Sequence, residues 1–90
     1  MYKNRIHGRN NICGVTIARM RQEFGGMLSQ RKLAEDLSNA GLERDKNAIQ
    51  RIESGQRFVT DIEMKAFADY FGITMDELMD EATCLFRFFR

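Results

Sequence analysis

The stretch from Ser29 to Gly55 reads SQRKLAEDLSNAGLERDKNAIQRIESG, and caps and spacing alone place two amphipathic helices in it. Ser29 is an N-cap residue, whose side-chain oxygen can take an orphan amide of the first turn. Leu28 before it and Leu33 after it are spaced for a hydrophobic staple. Leu33, Ala34 and Leu37 share one face, and Ala34 is small enough for another helix to cross closely. Gly41 marks the following turn. Asp45 caps the next helix, expected from about Asp45 to Glu53 and ended by Gly55. Ala48, Ile49 and Ile52 point inward on it. Lys46, Asn47, Gln50 and Arg51 are left outside, a hydrogen-bonding set rather than a mixed-charge one.

The flanks read the same way. Upstream, Gly14 precedes a helical stretch with Thr16 or Gly14 as its expected cap. Ile17, Met20 and Phe24 form its apolar stripe, and Gly25-Gly26 stops it. Downstream, Thr60 with Glu63 and Thr74 with Glu77 are two capping boxes. Val59 with Met64 and Ile73 with Leu78 are placed as their staples. Met64, Phe67, Ala68 and Phe71 make a core stripe that ends at Gly72, and a short last helix is expected from Met75 to Glu81. The result is five helices with short connections and no internal repeat.

Composition agrees with an all-α domain. The chain has 90 residues, no proline and 30% charged residues, which suits one helical core and disfavours a sandwich, a barrel or a disordered tail. Three segments are expected: a basic N-terminal arm over 1–13, a helical domain over 14–81 and an apolar tail over 82–90. The net charge of +1 hides an asymmetry, with +5 over residues 1–60 and −4 over residues 61–90. Lys3, Arg5, Arg9, Arg19 and Arg21 come before any acid. A basic half suits a polyanion, because each phosphate neutralised releases condensed counterions.

Cys13 and Cys84 are far apart and follow no apolar leader, so reduced thiols and a cytoplasmic location are expected. His7 and two isolated cysteines do not make a zinc site, and no apolar run is long enough for a membrane span. No convergent acid, base or nucleophile is visible, so neither an enzyme nor a cofactor is expected.

Ser29, Gln30, Leu33, Ala34, Leu37, Ile49, Ile52, Glu53 and Gly55 together resemble the phage-repressor and Cro-like helix-turn-helix family, often called the XRE family. That family reads Ser/Thr-Gln-x-x-Leu-Ala, a turn, then Ile-x-x-Ile-Glu-x-Gly. The stretch TDIEMKAFADYFGITMDELM resembles the family's fourth and fifth helices, so the resemblance covers about residues 14–80. Two departures stand out. The span Ser38 to Ala48 is eleven residues, longer than the family's, and the loop at Gly25-Gly26-Met27 is slightly longer too. An extension of the second helix can absorb the first, since loop closure costs grow slowly with length.

The resemblance implies a five-helix lambda-repressor-like helix-turn-helix bundle with its third helix in the DNA major groove. By position, Lys46, Asn47 and Arg51 would read bases, with Gln50 beside them. Lys and Arg can donate to guanine O6 and N7, and Asn or Gln can bridge adenine N6 and N7. Gln30, Arg31, Lys32, Arg44, Gln56 and Arg57 would contact phosphates, Gln30 also bracing the third helix. Arg21 and Glu53 would form an orienting ion pair. The implied protein is a homodimeric, sequence-specific double-stranded DNA-binding regulator of transcription, with a repressor expected first. Activator and antitoxin-like roles share the same residues. A helix-turn-helix protein-binding adaptor is the alternative, and Leu85, Phe86, Phe88 and Phe89 of the tail are its candidate contact.

Overall fold

The computed structural model describes residues 8–23 and 28–80. Five helices follow in order: α1 (Cys13–Glu23), α2 (Gln30–Asn39), α3 (Lys46–Ser54), α4 (Asp61–Phe71) and α5 (Met75–Leu78). The described residues include no strand, and the architecture is an all-α bundle.

Local chemistry starts most of these helices. The Ser29 hydroxyl accepts from the Lys32 amide at 3.0 Å, and Asp45 Oδ1 accepts from the Ala48 amide at 2.8 Å. Both capping boxes are closed in both directions. Each cap contributes about 1 kcal/mol, whereas fully burying one large apolar side chain contributes roughly 1.5–3 kcal/mol. Caps therefore fix where the helices begin, and packing decides that they persist. Ile17, Leu33, Leu37, Ile49, Ile52, Phe67 and Leu78 are fully buried together. α3 sits centrally, packed against both α1 and α2.

The start of α1 differs from the expectation. The helix begins at Cys13, and the Asn11 side-chain oxygen takes the Gly14 amide at 2.9 Å. Thr16 lies inside the helix, 1% exposed, so its position suits packing and not capping. Gly14 is the point where α1 meets α3, since a Cβ there would lie 2.0 Å from the Ile52 carbonyl oxygen. The Cys13 thiol is equally enclosed. At the other end, α5 is a single turn stopping at Leu78, short of the expected Glu81, which lies outside the described residues along with Phe24.

The long connection between α2 and α3 is compact. α2 continues through Ser38 and Asn39, and the chain then folds back on the helix end. The Leu42 amide donates to the Leu37 carbonyl at 2.9 Å and the Gly41 amide to that of Ser38 at 3.1 Å. Gly41 supplies the required φ of +107°, which a side chain would resist. Leu42 then drops into the core at 8% exposure, so the connection carries its own apolar anchor. Across the bundle, the Tyr70 hydroxyl of α4 donates to Asp36 of α2 at 2.6 Å.

Candidate nucleic-acid interface

Lys46, Asn47, Gln50 and Arg51 all lie exposed on the face of α3 opposite buried Ile49 and Ile52. The helical repeat places positions 46, 50 and 47, 51 on adjacent turns, so the four form one short stripe. All four are donors, and none is consumed by the core. Such a stripe is useful for reading a surface only if the helix beneath it is held firmly. α3 is held at three places.

The first is Glu53, on the last turn of α3. Arg21 of α1 donates to both of its oxygens, Nε to Oε2 at 2.6 Å and Nη2 to Oε1 at 3.0 Å. Gln30 Nε2 of α2 donates to the same Oε1 at 2.9 Å. The Arg21 and Glu53 side chains are only 14% and 8% exposed. Desolvation leaves such a pair near zero in net stability, yet removing one member strands a charge. Its effect is geometric, joining three helices through one carboxylate. Arg21 Nη1 also donates to the Leu28 carbonyl at 2.9 Å, fixing the entry to α2.

The second is Glu63, near the start of α4, whose side chain is fully buried. Arg44 Nε and Arg57 Nη1 both donate to its Oε2, at 2.5 and 2.8 Å, and the Thr60 amide donates to Oε1 at 2.9 Å. Burial raises the Glu63 carboxyl, but the Thr60 amide and the two guanidiniums outweigh it and hold it below its ordinary value. Arg44 and Arg57, expected as plain phosphate cations, are thus not independent solvated charges. Each commits part of its fork inward because an unpaired buried carboxylate would be far costlier.

The third is the chain before α1. Arg9 Nη2 donates to the Glu53 carbonyl at 2.8 Å and to that of Ile52 at 3.4 Å. The Asn10 amide donates to the Gly55 carbonyl at 2.8 Å, and its side chain to that of Gln56 at 2.9 Å. Asn11 Nδ2 donates to Ile52 and Arg57 carbonyls at 3.0 and 2.8 Å. The last carbonyls of a helix lack intrahelical donors and carry partial negative charge, which makes an arginine and two amides apt partners. Residues 9–11, assigned by sequence to a basic arm, are for this reason part of the packed domain. The readable signal was Asn11 three residues before Gly14, a capping spacing.

The other expected contacts are scattered more widely. Arg31 and Lys32 are exposed on α2, and Lys32 pairs with Asp36 at 3.1 Å. Gln56 is exposed just past α3. Arg31, Arg44 and Lys46 share one open depression between α2 and the start of α3, together with Glu35, Glu43 and Asp45. That end of the surface is of mixed charge. Lys3, Arg5, His7, Cys84 and the tail residues Leu85, Phe86, Phe88 and Phe89 lie outside the described residues. No three His, Cys, Asp or Glu side chains converge among the described residues, and no helix there is long and apolar enough to cross a membrane. Comparison of the chain with family models, curated proteins and solved structures found no match.

Proposed function

We propose that this chain is a sequence-specific double-stranded DNA-binding regulator that reads the major groove with α3. The observation that carries this reading is the exposed stripe of Lys46, Asn47, Gln50 and Arg51 on a helix braced at both ends. Bracing matters because base discrimination of roughly 1–3 kcal/mol per bidentate contact is lost if the donor wanders from the base edge. Arg31 and Gln56, exposed on either side, would supply positioning contacts to the backbone, while Gln30 acts through Glu53. One short helix reads few base pairs, so a homodimer on a two-fold symmetric site is the expected bound form. A cytoplasmic repressor, acting by occupying a promoter, is the role this reading puts first.

Selection of bound duplexes from a random DNA pool tests the reading. Enrichment of paired half-sites about one helical turn apart supports it. Failure to retain any duplex at low salt refutes it. A second reading, a protein-binding adaptor, is favoured by Phe58 and Ile62, which are 57% and 70% exposed beside the start of α4. An adaptor would lose its partner on changing those two residues and would be indifferent to Asn47→Ala.

A further inference from the structure

Glu63 has a relation to the stripe that neither the capping box nor the core requires. Arg44 lies one residue before the N-cap of α3, and Arg57 lies two residues after Gly55, its C-cap. The two arginines come from opposite ends of that helix and converge on one oxygen of one carboxylate. Two guanidiniums brought this close repel each other, and the shared anion is what keeps them together. The carboxylate is fully buried while the arginines remain 30% and 31% exposed, so the charge arrangement is asymmetric. Within these three groups the negative charge sits inside and one positive charge is left over, on side chains that reach water beside the acids Glu43 and Asp45. Each guanidinium carries five N–H donors, more than these bonds engage.

We infer that Glu63 is a positioning residue that holds Arg44 and Arg57 as a paired clamp for one backbone phosphodiester, setting how α3 sits against the duplex. The inference rests on the DNA reading and specifies its backbone contact. Glu63 also halves the charge of the clamp, so the pair grips a phosphate without acting as two free cations. Sequence-independent attraction is kept down while geometry is kept fixed.

The charge and position roles separate with two variants of the full chain, measured against the selected duplex and a scrambled one over a range of salt. Glu63→Gln frees the second positive charge, and the slope of log K against log salt on scrambled DNA steepens by about 0.9. Preference for the selected duplex falls roughly fivefold or more, the loss of one poorly seated base contact. Glu63→Asp keeps the charge but shortens the reach, so its slope stays that of the parent chain while its preference falls. It also covers the case in which Glu63→Gln fails to fold. Parent-like slope and parent-like preference in both variants overturn the inference and leave DNA binding intact. A parent chain that retains no duplex at low salt overturns both.

Discussion

Replacing Gly14 with alanine should destabilise this protein, although alanine is the better helix former. In an open helix the change stabilises by roughly 1 kcal/mol, through propensity and a less flexible unfolded chain. Here the new Cβ would lie 2.0 Å from the Ile52 carbonyl oxygen, 2.6 Å from Arg9 Nη2 and 2.7 Å from Asn11 Oδ1. The first of these is backbone, so α1 and α3 must part by about 1.4 Å to restore an ordinary contact. Overpacking of this kind costs about 1–3 kcal/mol. The Ile52 carbonyl also accepts from Asn11 at 3.0 Å, and breaking that bond forfeits about 1 kcal/mol more. Offsetting the helix-propensity gain leaves a net loss of about 1–3 kcal/mol. For a domain of this size the melting temperature should fall by roughly 4–8 °C for each kcal/mol. Urea titration followed by circular dichroism, run on both proteins, gives the free energy directly. A Gly14→Ala variant as stable as the parent, or more so, refutes the close crossing of α1 on α3. The sign decides it.

Other expectations follow from the same geometry. Leu42→Ala should cost about 2 kcal/mol in urea titration, the low end of large-to-small core changes, because the connection loses its anchor; a loss under half that amount would place Leu42 on the surface. Tyr70→Phe removes a donor to Asp36 and should cost about 1 kcal/mol near neutral pH. Burial, and then Asp36, push the Tyr70 hydroxyl up to about 12 from an ordinary 10.0, so its stabilisation is present below pH 10 and lost as pH rises towards 12. The alkaline fall in urea midpoint should therefore shrink in Tyr70→Phe, and an identical fall in both proteins would contradict this. Glu63 has the opposite sign: its carboxyl is held low, so its contribution is present above its ordinary 4.5 and disappears as pH falls through the folded value. Glu63→Gln should flatten that acid limb. Asn47→Ala should relax base preference at one position, whereas Arg31→Ala should weaken all duplexes alike and flatten the salt slope; equal losses at every base for Asn47→Ala would remove it as a reader.

Legibility in the sequence followed the range of the interaction. Ser29, Asp45, Thr60 and Thr74 act on amides three residues away, so their roles are written in adjacent letters. The inward stripes of α2, α3 and α4 were visible for the same reason, as periodicity. Arg21 and Glu53, 32 residues apart, came only from the family resemblance, because no local pattern links them. The spacing Thr60-x-x-Glu63 marks Glu63 as a capping partner, which is half of its chemistry. Its bond to Arg44 spans 19 residues and depends on how α4 docks against α1 and α2. Asn11 is legible as a cap of Gly14, three residues on, but its bond to Ile52, 41 residues away, is not. Thr16 shows the converse error, a residue type suited to capping that packing places elsewhere. Leu42 was the nearest miss, for an apolar residue directly after Ala40-Gly41 is a recognisable helix ending.

The enclosed thiol of Cys13 makes the molecule its own stopwatch. It is 1% exposed at the first position of α1, where the bonds from Asn10 and Asn11 hold that helix to the end of α3. With Cys84 changed to serine, a thiol reagent can react only during openings that expose the start of α1. When closing outpaces modification, the labelling rate measures the equilibrium constant for those openings. Its response to urea would distinguish peeling of one helix from loss of the whole core. Because Asn10 and Asn11, which lead into Cys13, also bond the carbonyls at the end of α3, any ligand that steadies α3 should slow the clock, and occupancy could be timed without labelling the ligand.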